Sequence, residues 1–102
     1  VSTEVTVSGT LDNAAGIGCT GTVTFRPTQP LYDESGERVV GTAPTVATIT
    51  AGDFSIVVFA TDDLLPAGAT YTVTEAVDGA DPRTFRAVIP AADTSLRYED
   101  LF

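Results

Sequence analysis

Short runs that alternate apolar and polar residues, each stopped by turn chemistry, limit this chain more than any other feature. From Glu4 to Thr10, Val5 and Val7 fall on one side and Thr6 and Ser8 on the other. Thr22 to Arg26 repeats the pattern with Val23 and Phe25 inward, and Ala69 to Asp78 sets Tyr71, Val73, Glu75 and Val77 on one face. Arg83 to Ile89 aligns Phe85, Ala87 and Ile89. A period of two is the signature of a strand with one face buried, and no stretch shows the 3.6 period of a helix. Shorter strands are expected at Arg38 to Val40 and at Pro44 to Thr50.

The breaks between these runs carry their own signals. Leu11 to Gly21 and Thr61 to Gly68 read as loops, Asp33-Glu34-Ser35-Gly36 and Asp78-Gly79-Ala80-Asp81-Pro82 as turns, and Ala51-Gly52-Asp53 as a tight hairpin. Pro27 and Pro30 are expected to end regular pairing, since proline has no N–H to donate. Phe54 to Ala60 differs from the other runs by carrying large apolar residues on both faces. Such a strand is either central and covered or meets a partner, and the first reading is preferred.

About seven strands with a turn every ten or so residues predict an all-β fold, an antiparallel β-sandwich of the prealbumin-like or immunoglobulin-like kind. The length of 102 residues allows one core. Residues 1–90 are expected to form the sandwich, and the acidic, weakly patterned stretch 91–102 a C-terminal linker or docking tail.

Composition narrows function by what it omits. The chain has no His, Lys, Trp or Met, and its five basic residues are all arginines. The commonest general base and metal ligand is therefore missing, as is the amine of Schiff-base and phosphate-loop chemistry. No catalysis and no cofactor are expected. A net charge of −9 repels phosphate backbones and anionic lipid, so neither nucleic acid nor membrane is an expected partner. Cys19 is the single cysteine, which leaves no disulfide within the chain and an inert or buried thiol as the expected state.

Four groups merit a reading as sites. Glu75 shares a face with Tyr71 and Val73, and is read as a structural carboxylate that takes a hydrogen bond or charge from Arg83 or Arg86. The rival reading, a general base, lacks a nucleophile at any recognisable spacing. The acidic loops supply Asp33, Asp62, Asp63, Asp78 and Asp81 as oxygen ligands for calcium if two loops converge, although solvated turns are the default. Val57, Phe59, Tyr98, Leu101 and Phe102 are the candidate interface residues. Sugar binding is the weakest idea, since Tyr32, Tyr71 and Tyr98 are scattered and no Trp is present.

Three stretches taken in order carry a resemblance. They are Gly21-Thr22-Val23-Thr24-Phe25-Arg26-Pro27; Gly52-Asp53-Phe54-Ser55-Ile56-Val57-Val58 leading to Ala60-Thr61-Asp62-Asp63; and Tyr71-Thr72-Val73-Thr74-Glu75 followed by Arg83-Thr84-Phe85-Arg86-Ala87-Val88-Ile89-Pro90. Their order resembles the N-terminal β-sandwich of minor tail and tail-fibre proteins of phages that infect actinobacteria. More distantly, Tyr71-x-Val73-x-Glu75 is similar to a strand of the prealbumin-like Cna B-type repeats of adhesins, whose glutamate assists an isopeptide bond. Without lysine that bond is excluded here. The resemblance implies a non-enzymatic structural or binding module of the virion, assembled in the host cytoplasm. Its partners would be other virion structural proteins and copies of itself. Capsid decoration, and a bacterial cell-surface or carbohydrate-binding module, are the alternatives.

Overall fold

A computed structural model describes residues 3–33, 39–92 and 94–101. The strands are β1 (Glu4–Thr10), β2 (Gly21–Pro27), β3 (Leu31–Tyr32), β4 (Val39–Val40), β5 (Thr45–Ile49), β6 (Asp53–Phe59), β7 (Tyr71–Val77), β8 (Arg83–Ala87) and β9 (Ser95–Arg97). A single 3-10 turn, η1 (Tyr98–Leu101), follows, and no α-helix occurs among the described residues. Seven strands make two main sheets, one ordered β6-β1-β9 and the other β5-β2-β7-β8, while β3 and β4 pair apart. The fold is an all-β sandwich.

Alternation explains which side chains meet between the sheets. Val5, Val7, Phe54, Ile56 and Val58 come from one sheet, and Val23, Phe25, Ala47, Ile49, Tyr71 and Val73 from the other, all within one core. Phe25 is wholly buried, and its ring meets Tyr71 edge-on with centroids 5.9 Å apart. Burying a side chain of this kind contributes about 1.5–3 kcal/mol, and edge-to-face aromatic geometry adds to it. A smaller cluster, Leu31, Leu64 and Ala69 with Val40 and Phe59 against it, roots the β3–β4 ladder on the 61–68 loop. Reciprocal bonds between Tyr32 and Leu65, 2.8 and 2.7 Å, tie the two together.

Three sequence expectations change. The turn at Ala51 and Gly52 does have the hairpin conformation, with φ of 51° and 89° and reciprocal Thr50–Asp53 backbone bonds of 2.9 and 3.0 Å. Its two strands nevertheless part at once: β5 joins β2 while β6 joins β1 in the opposite sheet. Pro27, by contrast, is the last residue of β2, opposite Tyr71, so regular pairing ends where expected. β6, preferred above as a covered central strand, lies at the edge of its sheet and among the described residues pairs only with β1. The third concerns the stretch read as linker or docking tail. Residues 95–97 add a strand parallel to β1, and Tyr98 beyond them is 3% exposed. Backbone pairing rather than an apolar stripe recruits this segment, which is why no alternation announced it. The 33–36 turn lies largely outside the described residues.

Candidate functional site

Glu75, on β7, stands at the centre of the only ion pair that crosses strands among the described residues. Its Oε1 accepts from Arg83 on β8 at 3.0 Å and from the Tyr98 hydroxyl at 2.8 Å. Arg83 sits directly opposite Glu75 in the β7–β8 register, whereas Arg86 lies opposite Thr72 and plays no part. Aromatic rings close the site: Tyr98 meets Phe54 edge-on at 5.0 Å and Phe85 at 6.0 Å, and the Arg83 guanidinium lies 5.1 Å from the Phe85 centroid. With a side-chain exposure of 15%, the carboxylate is largely withdrawn from water, and both donors are spent on one oxygen. The cluster therefore joins three elements, β7, β8 and η1, and holds them. Tyr98, offered above as an interface residue, is a core residue instead.

The tyrosines that face the core are pH-sensitive. Burial lifts Tyr71 from its ordinary 10 to about 12, and its hydroxyl donates to the Phe59 carbonyl at 2.7 Å. Burial, followed by the hydrogen bond to the Glu75 carboxylate, raises Tyr98 as well. Unfolded tyrosines ionise near 10, so above that pH the folded chain holds the extra protons. The stability Tyr71 contributes is thus complete below pH 10 and is lost as pH rises through the 10 to 12 window. The gap is worth about 3 kcal/mol for this buried phenol. Urea melts taken at about pH 9 and pH 11.5 are expected to show that loss, and Tyr71→Phe is expected to lessen it; a pH-independent midpoint would contradict the assignment.

The acidic loops gather no carboxylate cluster among the described residues. Asp62 Oδ1 accepts from the Ala91 backbone N–H at 2.8 Å, Asp63 Oδ2 from the Thr3 hydroxyl at 2.6 Å, and Asp78 Oδ2 from the Thr20 hydroxyl at 2.7 Å. Asp33 is buried beside β3, and Asp81 is exposed in the β7–β8 turn. Among the described residues no three His, Cys, Asp or Glu side chains gather as a metal site. The carboxylates named for calcium mostly serve as hydrogen-bond acceptors that fasten loops. Cys19 is half-buried and free, and its backbone binds Leu11 and Gly52, pinning the 11–20 loop to the turn before β6.

The other candidates gather along β6. Val57 is 51% exposed, and Phe59 is half-buried against Leu31, Leu64 and Ala69. The Ala60 N–H bonds to the Thr3 carbonyl across from β1, so by alternation the even-numbered residues of β6 face β1 and Ser55 and Val57 face outward. This free edge is short. Asp53 closes one end through its bonds to Thr50, and the Tyr71 hydroxyl occupies the Phe59 carbonyl at the other. Val40, Ala43, Thr45, Val57 and Phe59 line a mostly apolar groove, with Pro27, Tyr71 and the acidic Glu4 also on its walls. Leu101 packs partly on the core, and Phe102 lies outside the described residues. Sequence reasoning missed the groove because its walls come from β4, β5 and β6, whose arrangement depends on the change of sheet at Ala51 and Gly52.

Comparison with protein families, with curated proteins and with solved structures finds no match to this chain.

Proposed function

We propose that the chain is a non-enzymatic structural or binding module of a phage virion, a minor tail or tail-fibre component that docks to other virion proteins. The observation that carries this reading is the exposed edge of β6, where Ser55 and Val57 offer backbone groups beside the apolar groove. An incoming strand would add to that edge for two residues and insert a side chain between β5 and β6. The ordered stretches of the resemblance supply the framework, since they form β2, β6, β7 and β8. Excess negative charge keeps unassembled copies apart.

Gold-labelled antibody against the domain, applied to particles of a phage whose genome encodes it, is expected to mark the tail. Label on the capsid would transfer the proposal to decoration, and unlabelled particles would overturn it. Val57→Lys, which places a charge on the docking edge, is expected to leave stability within about 0.5 kcal/mol. Incorporation of the variant into particles should nonetheless fall severalfold, and undiminished incorporation would remove β6 from the interface.

A further inference from the structure

The outward face of the β5-β2-β7-β8 sheet is chemically unlike the rest of the molecule. Inward positions of these strands carry the core, so Thr22, Thr24 and Arg26 of β2, Thr72 and Thr74 of β7, and Thr84 and Arg86 of β8 point out. Register aligns them in rows: Thr24, Thr74 and Thr84 in one, and Arg26, Thr72 and Arg86 in the next. The two arginines thus flank one threonine, with backbones about 10 Å apart, two strand spacings. No outward position on these four strands is acidic, although the chain carries 14 Asp and Glu against 5 Arg. The acidic 78–81 turn lies at the other end of β7 and β8.

These two arginines also differ from their fellows. Arg83 is paired with Glu75 and Arg97 with Glu99. Arg26 and Arg86 are exposed, and among the described residues neither makes a hydrogen bond or ion pair. In a protein with a large surplus of carboxylates, two uncompensated guanidiniums on one polar face leave a local positive field that survives at contact distance, since salt screens the remaining charge within about 8–10 Å. The surface there is also shaped. Arg26, Thr28, Thr42, Thr72 and Arg86 border one shallow depression, and Arg26 and Thr72 share a second with Thr24 and Thr74.

We propose that this face binds an anionic glycan or related polyol polymer, Arg26 and Arg86 holding its acid group and the neighbouring threonines its hydroxyls. Guanidinium is suited to carboxylate and phosphate through paired N–H donors, and threonine hydroxyls both donate and accept, as sugar hydroxyls do. Nucleic acid fits the face poorly, because it needs more cations than two and aromatic platforms that are absent from these outward positions. The site is separate from the β6 edge and stands whether or not the domain belongs to a virion.

The test is biolayer interferometry on immobilised polygalacturonate and poly(glycerol phosphate), with uncharged dextran beside them. Binding to at least one of the two anionic polymers and none to dextran is expected, weakening severalfold between about 50 and 200 mM salt. The polymer that binds tells whether the acid group is a carboxylate or a phosphodiester. Arg26→Gln with Arg86→Gln is expected to lower affinity by about tenfold or more. Arg86→Glu alone, which sets a carboxylate across Thr72 from Arg26, should do the same, and Arg97→Gln should bind as the parent does. Failure to bind either anionic polymer, equal binding to dextran, or undiminished binding by the arginine variants overturns the proposal.

Discussion

Tyr98→Ala is expected to destabilise the domain by about 3–5 kcal/mol, a large part of the 5–15 kcal/mol that holds a domain of this size together. The ring fills the space beside Phe54 and Phe85, and its loss leaves a cavity that the stiff strands on either side collapse into only partly. Its hydroxyl is also one of two donors to a Glu75 carboxylate that is mostly out of water, so removal strands part of a buried charge. Tyr98→Phe separates these contributions. It keeps the ring contacts and leaves Arg83 on Glu75, for a cost of about 1–2 kcal/mol. Urea melts measure both variants, and hydrogen exchange at β9 should rise in the alanine variant before global unfolding. If Tyr98→Ala costs under about 0.5 kcal/mol, the C-terminal segment contributes nothing to the fold.

The reach of sequence reasoning follows from which residues carry local signals. Val5 with Val7, and Val23 with Phe25, identify their strands because each lies inside its own period-two run, and the burial found matches residue for residue. Glu75 was half legible: its partner Arg83 is the cross-strand neighbour that a simple β7–β8 hairpin requires. Tyr98 comes from 23 residues further along, through a strand with one half-buried apolar residue, Leu96, and no local signal points from one to the other. Nor does any pattern reveal that β5 and β6 separate. Ala51 and Gly52 encode only the turn; which sheet each strand joins is decided by long-range pairing with β2 and β1. The positive face was hidden by the same logic, because net charge is a sum and Arg26 and Arg86 become neighbours only across β7.

Gly21→Ala is expected to be as damaging as the loss of Tyr98, at about 3–5 kcal/mol, although it adds a single methyl group. Gly21 opens β2, the strand that pairs with both β5 and β7, and it lies between Ile49 and Val77. Its φ of +148° belongs to a region that side chains rarely adopt, for a strain of about 1–3 kcal/mol. A Cβ there would also stand 2.1 Å from the Ala76 carbonyl oxygen and 2.9 Å from the Val77 Cα. Both are backbone atoms inside a ladder, so the clash is relieved only by moving a strand, and overpacking of this kind adds about 1–3 kcal/mol. The adjoining bonds leave little room for that movement: Asp78 donates its N–H to the Thr20 carbonyl at 2.9 Å and accepts from the Thr20 hydroxyl at 2.7 Å. Gly41→Ala is the matched control, since a Cβ there meets nothing within 4 Å and no positive φ is involved. Thermal melts should show Gly41→Ala near the parent and Gly21→Ala lower by about 15 °C or more. If the two variants melt together, the close approach of β2 to β7 at Gly21 is not what requires glycine there.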